Sequence, residues 1–257
     1  MSDNMEFAKG KVSLNMPSGN MFLYQHPELL TRENHAHLGM ITPDKPFEFA
    51  RSAKYVPLVA AEMYSAQKHY PVVFSGKDNP VPMAILSVQD SDNIFLDEHG
   101  NWSPGSYIPS YLRRHPFAMA AGNDDKFAIV IDRASSAISD SPEHAFFDGD
   151  QLSPKTQAMV DFCGQYEAER RRTDAFAMKL KDLDLLAMQE ISRQSDDGAK
   201  PLATYYAVDK EKLDALAPDQ LCELHQLGYL SFIYAHLFSL ENWNTLLERH
   251  QVIQQPE

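Results

Sequence analysis

Tryptophan, tyrosine and arginine crowd one stretch of this 257-residue chain: Trp102, Tyr107, Tyr111, Arg113 and Arg114 stand within 13 residues. Those residue types dominate binding hot spots. A guanidinium also grips a carboxylate through two parallel hydrogen bonds. The cluster therefore points to a protein partner or a small acidic ligand. The same composition fits tyrosines packed in a core with arginines paired to acids, so burial decides between the two readings.

Single ionisable residues offer the alternative of acid–base chemistry. Glu62 lies on an otherwise apolar stretch; buried there, its carboxyl would hold its proton more tightly and could serve as an acid or base. Paired with an arginine or facing water, it would do neither. His236 sits among apolar residues, where a satisfied core histidine is the ordinary outcome. His35 and His37, two apart, would share one face of a strand, a usable metal-ligand spacing, but no third ligand follows at a diagnostic spacing. His115 precedes Pro116. Ser135, Ser136, Ser139 and Ser141 lack the flanking glycines of a nucleophile elbow. There is no phosphate-cradling glycine loop, CxxC pair, HExxH or dinucleotide fingerprint, so no cofactor and no metal is predicted.

Charge narrows the partners further. The chain carries 23 Lys and Arg against 36 Asp and Glu, a formal charge of −13. Such a chain repels phosphate backbones, which argues against nucleic acid. The one basic run, Arg170–Arg172, has Glu167, Glu169 and Asp174 within helical reach, and local pairing is expected. Cys163 and Cys222, both in apolar helical patterns, read as buried free thiols. The longest apolar segment, Leu227 to Leu240, has 14 residues. A membrane span needs about 20, so this segment is expected to be a buried helix. With no secretion signal visible at the first residues, a cytoplasmic protein is expected.

The elements that must position these residues divide into a sheet-like first half and a helical second half. Strands are expected at His37–Ile41, around Phe47 and Phe49, at Val72–Phe74, at Met83–Val88 and at Asn93–Leu96 beyond an Asp90–Asp92 loop. A helix is expected over Pro57–His69, stopped by Pro71, and one or two helical turns over Tyr107–Arg114. The strongest hairpin signal joins Phe117–Ala121 to Phe127–Asp132 through Gly122–Asp125. A connecting loop at 133–152 is the one plausible internal break in what reads as a single domain, 1–257. Ser153-Pro154 opens a helix whose apolar stripe runs through Phe162, Cys163, Tyr166, Phe176, Leu180 and Ala187, with Thr173 as a possible restart. A loop at 192–201 precedes a strand at Ala203–Val208. Asp209 caps the next helix, Pro218 opens another that ends at Gly228, and Leu230–Phe238 follows. Ser239 could cap the last helix, around Trp243. Grouped strands followed by helices mean α+β, a mostly antiparallel sheet packed with C-terminal helices.

Several of these segments resemble the bacterial SapC family: Arg32-Glu33-Asn34-His35-Ala36-His37, Phe47-Glu48-Phe49-Ala50, and Val56-Pro57-Leu58 with Glu62. So do Tyr70-Pro71-Val72-Val73-Phe74, the specific block from Tyr107 to Phe117, and Gly228-Tyr229-Leu230 with Ile233-Tyr234-Ala235-His236-Leu237. The resemblance runs from about residue 30 to residue 247. The family takes its name from surface-array proteins, and many relatives carry a peptide-transporter permease label. A permease role is at odds with the absence of any bilayer-length segment. Relatives are often encoded beside outer-membrane receptors, flavin-dependent halogenases and cupin-like proteins, which implies an accessory role in uptake or modification of a small molecule. No catalytic residues carry over. The first expectation is thus a non-catalytic binding or accessory protein. The rivals are an enzyme using Glu62, His37 or His236, and a surface-layer subunit.

Overall fold

The computed structural model describes residues 21–88, 91–121, 127–195 and 198–254. The fold is α+β, with antiparallel sheets concentrated in the N-terminal half and helices in the C-terminal half. The central sheet has five antiparallel strands in the order Leu186–Ser195, Gly198–Val208, Val72–Phe74, Pro82–Ile85, Tyr55–Pro57. Every residue of Val72–Phe74 and Pro82–Ile85 is buried, as continuous apolar runs require when both faces of a strand are covered. The Tyr229–Ser239 helix packs against Val72–Phe74 and Gly198–Val208. One large apolar cluster joins residues as far apart as Tyr24 and Leu246.

In a second sheet Phe127–Asp132 is the central strand, paired with Pro27–Leu29 on one side and Phe117–Ala121 on the other. The expected hairpin strands are present, although their 122–125 turn lies outside the described residues. The 133–152 segment is no plain connector: Ile138–Ser139 and His144–Ala145 both pair with Gly39–Met40. Residue 39 must be glycine there, since a Cβ would stand 2.2 Å from the His144 carbonyl oxygen. Ile138 and Phe146 join Leu38, Phe117, Ile131 and Cys163 in a second, smaller core.

The Pro154–Asp182 helix is continuous and packs on Phe117–Ala121. The Ser153 hydroxyl accepts from the Thr156 amide and caps it. Thr173 does not restart it; its hydroxyl donates to the Glu169 carbonyl and accepts from the Ala60 amide. Arg170 pairs with Glu167 and Asp174, and Arg172 with Glu169, as expected. The helix ends earlier than its stripe suggests, because Asp184 turns into the left-handed region at φ 51°. Ala187 therefore lies in a strand, not on the helix.

Other expectations are corrected by local polar contacts. Phe47 precedes and Phe49 belongs to a short 3-10 turn, Glu48–Ala50, closed by the Glu48–Arg51 ion pair. Asn93–Leu96 is not a strand, since the Asn93 side chain accepts from the Phe95 amide and bends the chain. Pro57–His69 is split into the end of a strand, a 3-10 turn at Ala60–Glu62 and one helical turn at Met63–Ala66. The expected loop at 192–201 is largely two strands, whose backbone pairing runs out to Ser195 opposite Gly198. Ser239 caps nothing; buried in its own helix, it accepts from the Val72 amide. Cys222 is exposed, whereas Cys163 is buried. The helix in the Leu227–Leu240 segment leaves Tyr234 and Phe238 exposed. No helix among the described residues is long and apolar enough to cross a membrane.

Candidate functional site

The aromatic and arginine cluster is built around one helical turn, Ser110–Arg113. Most of it faces inward. Trp102 is buried, stacks on Phe95 and donates its indole N–H to the Tyr70 hydroxyl at 3.0 Å. Tyr111 is buried and donates to the Phe22 carbonyl at 2.7 Å. Arg114 is buried between the Tyr111 and Tyr166 rings, 4.3 and 4.4 Å from their centroids, and meets Glu167 at 3.2 Å. Those three side chains are directed into the protein interior, although the buried Arg114 Nε has no hydrogen-bond partner among the described residues.

Glu62 is equally committed. Its Oε1 accepts from the Ser110 amide at 2.5 Å and the Tyr107 hydroxyl at 2.7 Å, and its Oε2 from the Val59 amide at 3.1 Å. It fastens the Ser110–Arg113 turn to the 3-10 turn that carries it. Burial, helped by the charge of Glu62, pushes the Tyr107 phenol up to about 12, so it stays a neutral donor. His236 is a second bracket: Nε2 accepts from the Val208 amide at 3.0 Å and Nδ1 donates to the Val72 carbonyl at 2.7 Å. Burial pushes its pKa down to about 4, which keeps the ring neutral. His35 closes the Arg32–His35 helix, buried, with Nε2 3.3 Å from Glu28. His37 lies beyond that helix and is exposed, so the two do not share a strand face. Among the described residues no three His, Cys, Asp or Glu side chains gather as a metal site.

Arg113 is different. It is exposed, yet three hydrogen bonds hold it in place: Nε to the Ile108 carbonyl at 3.0 Å, and Nη2 to Ser110 Oγ at 2.8 Å and the Tyr107 hydroxyl at 3.2 Å. Its guanidinium lies over the Tyr107 and Phe162 rings. All three acceptors are neutral, and among the described residues no carboxylate pairs with it.

Arg113 lines a cleft of about 610 Å³. Ile41, Phe47, Phe49, Ile108 and Leu112 supply apolar wall, and Lys155, His144, Ser135 and Ser136 polar groups. Leu112 belongs to the large core and Met40 packs on the small one, so both cores contribute to the lining. Two further members form a buried pair, with His115 Nε2 3.3 Å from Asp132 Oδ2. Phe49 stacks flat on the imidazole, centroids 3.7 Å apart. The Asp132 carboxylate also accepts from the Gln25, His26 and Ala134 amides at 2.8–3.2 Å. Burial favours protonation of Asp132, but these amides outweigh it and hold the carboxyl below its ordinary range. Burial depresses His115, partly offset by Asp132. A neutral imidazole facing a carboxylate places its proton on Nε2 and leaves Nδ1 as a base.

The family model for SapC matches residues 30–246. This chain belongs to the SapC family. No curated protein and no solved structure matches it significantly. Every cleft residue except Gln25 falls inside the SapC match.

The cleft itself was not visible as a motif in this SapC chain, because its described lining is drawn from six separate stretches between Gln25 and Lys155. One signal did point to part of it. The Phe117–Asp132 hairpin pairs Phe117 with Ile131. Continued past that pair, the ladder brings the residues around His115 and Asp132 together. Among the sequence candidates, only Arg113 of the aromatic cluster lines the cleft, along with His115, Ser135 and Ser136; His37, Glu62 and His236 do not.

Proposed function

We propose that this SapC protein is a non-catalytic binding protein for a small acidic molecule, held in the cleft with Arg113 as its main anion contact. One observation carries the reading: in a chain of net charge −13, Arg113 is pre-positioned by neutral acceptors on a concave wall, and no carboxylate among the described residues pairs with it. A guanidinium so held loses little freedom on binding, and its remaining N–H groups suit a carboxylate or phosphate. The apolar wall beside it is typical of small-molecule sites. An accessory role in uptake or modification of a small molecule fits such a site. The direct test is calorimetry of small carboxylates and inorganic phosphate with wild type and Arg113→Gln. Binding that weakens about tenfold or more in the variant supports the reading; equal binding by both proteins removes it.

A second reading, an acid–base enzyme, is favoured by the His115–Asp132 pair in the same cleft. A neutral histidine oriented by a fixed carboxylate is a competent general base. If this reading is right, His115→Gln should bind anions like wild type and yet lose any turnover found. Turnover that survives the substitution excludes His115 as the base.

A further inference from the structure

Among the described residues, two carboxylates line the cleft, and both are already neutralised. Glu48 is clamped by Arg51 through two hydrogen bonds of 2.6 and 2.8 Å. Asp132 is held by three backbone amides and His115. Two cations of the lining are not neutralised in this way: Arg113 and the exposed Lys155 form no ion pair among the described residues.

Lys155 and the ring that lies under Arg113 stand apart along a single helix. Arg113 lies over the ring of Phe162, 5.2 Å from its centroid. Phe162 and Lys155 belong to the same Pro154–Asp182 helix, seven residues apart. Seven residues are close to two turns, so both side chains leave the same face, about 10 Å apart along the axis. The lining also includes Ile41, Phe47, Phe49, Ile108 and Leu112, which offer nothing to a charged middle.

Resting on the anion-binding reading of this cleft, we infer that its ligand is a dianion with an apolar middle, one anionic group on Arg113 and the other on Lys155. A long-chain dicarboxylate has this chemistry. A single-headed acid would satisfy Arg113 and leave Lys155 to water.

Calorimetry with adipate, suberate and sebacate, set against octanoate, tests the spacing. At least one diacid should bind about tenfold more tightly than octanoate. Lys155→Gln, an exposed change that should leave the fold intact, should erase that preference while keeping octanoate affinity. Arg113→Gln should weaken both kinds of acid. Octanoate binding as tightly as the best diacid, or a diacid preference that survives Lys155→Gln, overturns the dianion inference and leaves anion binding at Arg113 standing. Failure of all four acids to bind overturns the dianion inference, and binding unaffected by Arg113→Gln overturns both.

Discussion

Arg113 and Arg114 are adjacent in the chain and lie in opposite surroundings. Arg114 belongs to an interior where ionisable groups are closed off by partners: Glu167 and two aromatic rings for itself, three donors for Glu62, two backbone groups for His236. Arg113 belongs to the cleft, where a cation is held in position and has no counter-ion among the described residues. Removing one partner from a buried polar pair strands the other without water, which costs far more than the pair's net worth. Removing an exposed group strands nothing. Interior substitutions should therefore act on stability, and cleft substitutions on binding.

The largest expected effect is at Glu62. Glu62→Ala leaves two amides and a phenol without their acceptor, and should cost about 3–5 kcal/mol in urea unfolding. A loss below about 1 kcal/mol would mean those donors find water, and the contrast between the regions would collapse.

His236 sharpens the contrast through pH. Its pKa of about 4 in the folded protein lies below the ordinary 6.5. The unfolded chain thus takes up the proton first. Stability from this group is complete above about pH 6.5, falls as pH drops, and is fully lost below about 4, a change of about 3 kcal/mol. The difference in unfolding free energy between wild type and His236→Gln should vary with pH across that window. A constant difference would show that the ring is not held neutral.

A smaller loss is expected from Trp102→Phe, which keeps the stack on Phe95 but removes the donor to Tyr70. About 1 kcal/mol should be lost, visible as a lower urea midpoint. The smallest stability effect is at Arg113. Arg113→Gln should change unfolding free energy by less than about 1 kcal/mol, while anion binding falls. A stability loss as large as that of Glu62→Ala would place Arg113 with the interior group.

The sequence by itself determined the features that rest on near neighbours. Ser153-Pro154 starts its helix and Asp209 caps the next, because a side chain that reaches an amide two or three residues on needs no tertiary context. The Phe117–Asp132 hairpin strands and the local pairing of Arg170 and Arg172 are legible for the same reason. The places where local pattern misled, such as Asn93 and Phe47–Phe49, are those where a polar side chain diverted the backbone from its apolar rhythm. Only the tertiary structure decided which arginine faces in. The contacts that make the decision span 53 residues from Arg114 to Glu167, 48 from Glu62 to Ser110 and 164 from His236 to Val72. Burial is a property of what packs from afar, and adjacent residues on a helical turn point about 100° apart, so one enters the core while its neighbour opens onto the cleft.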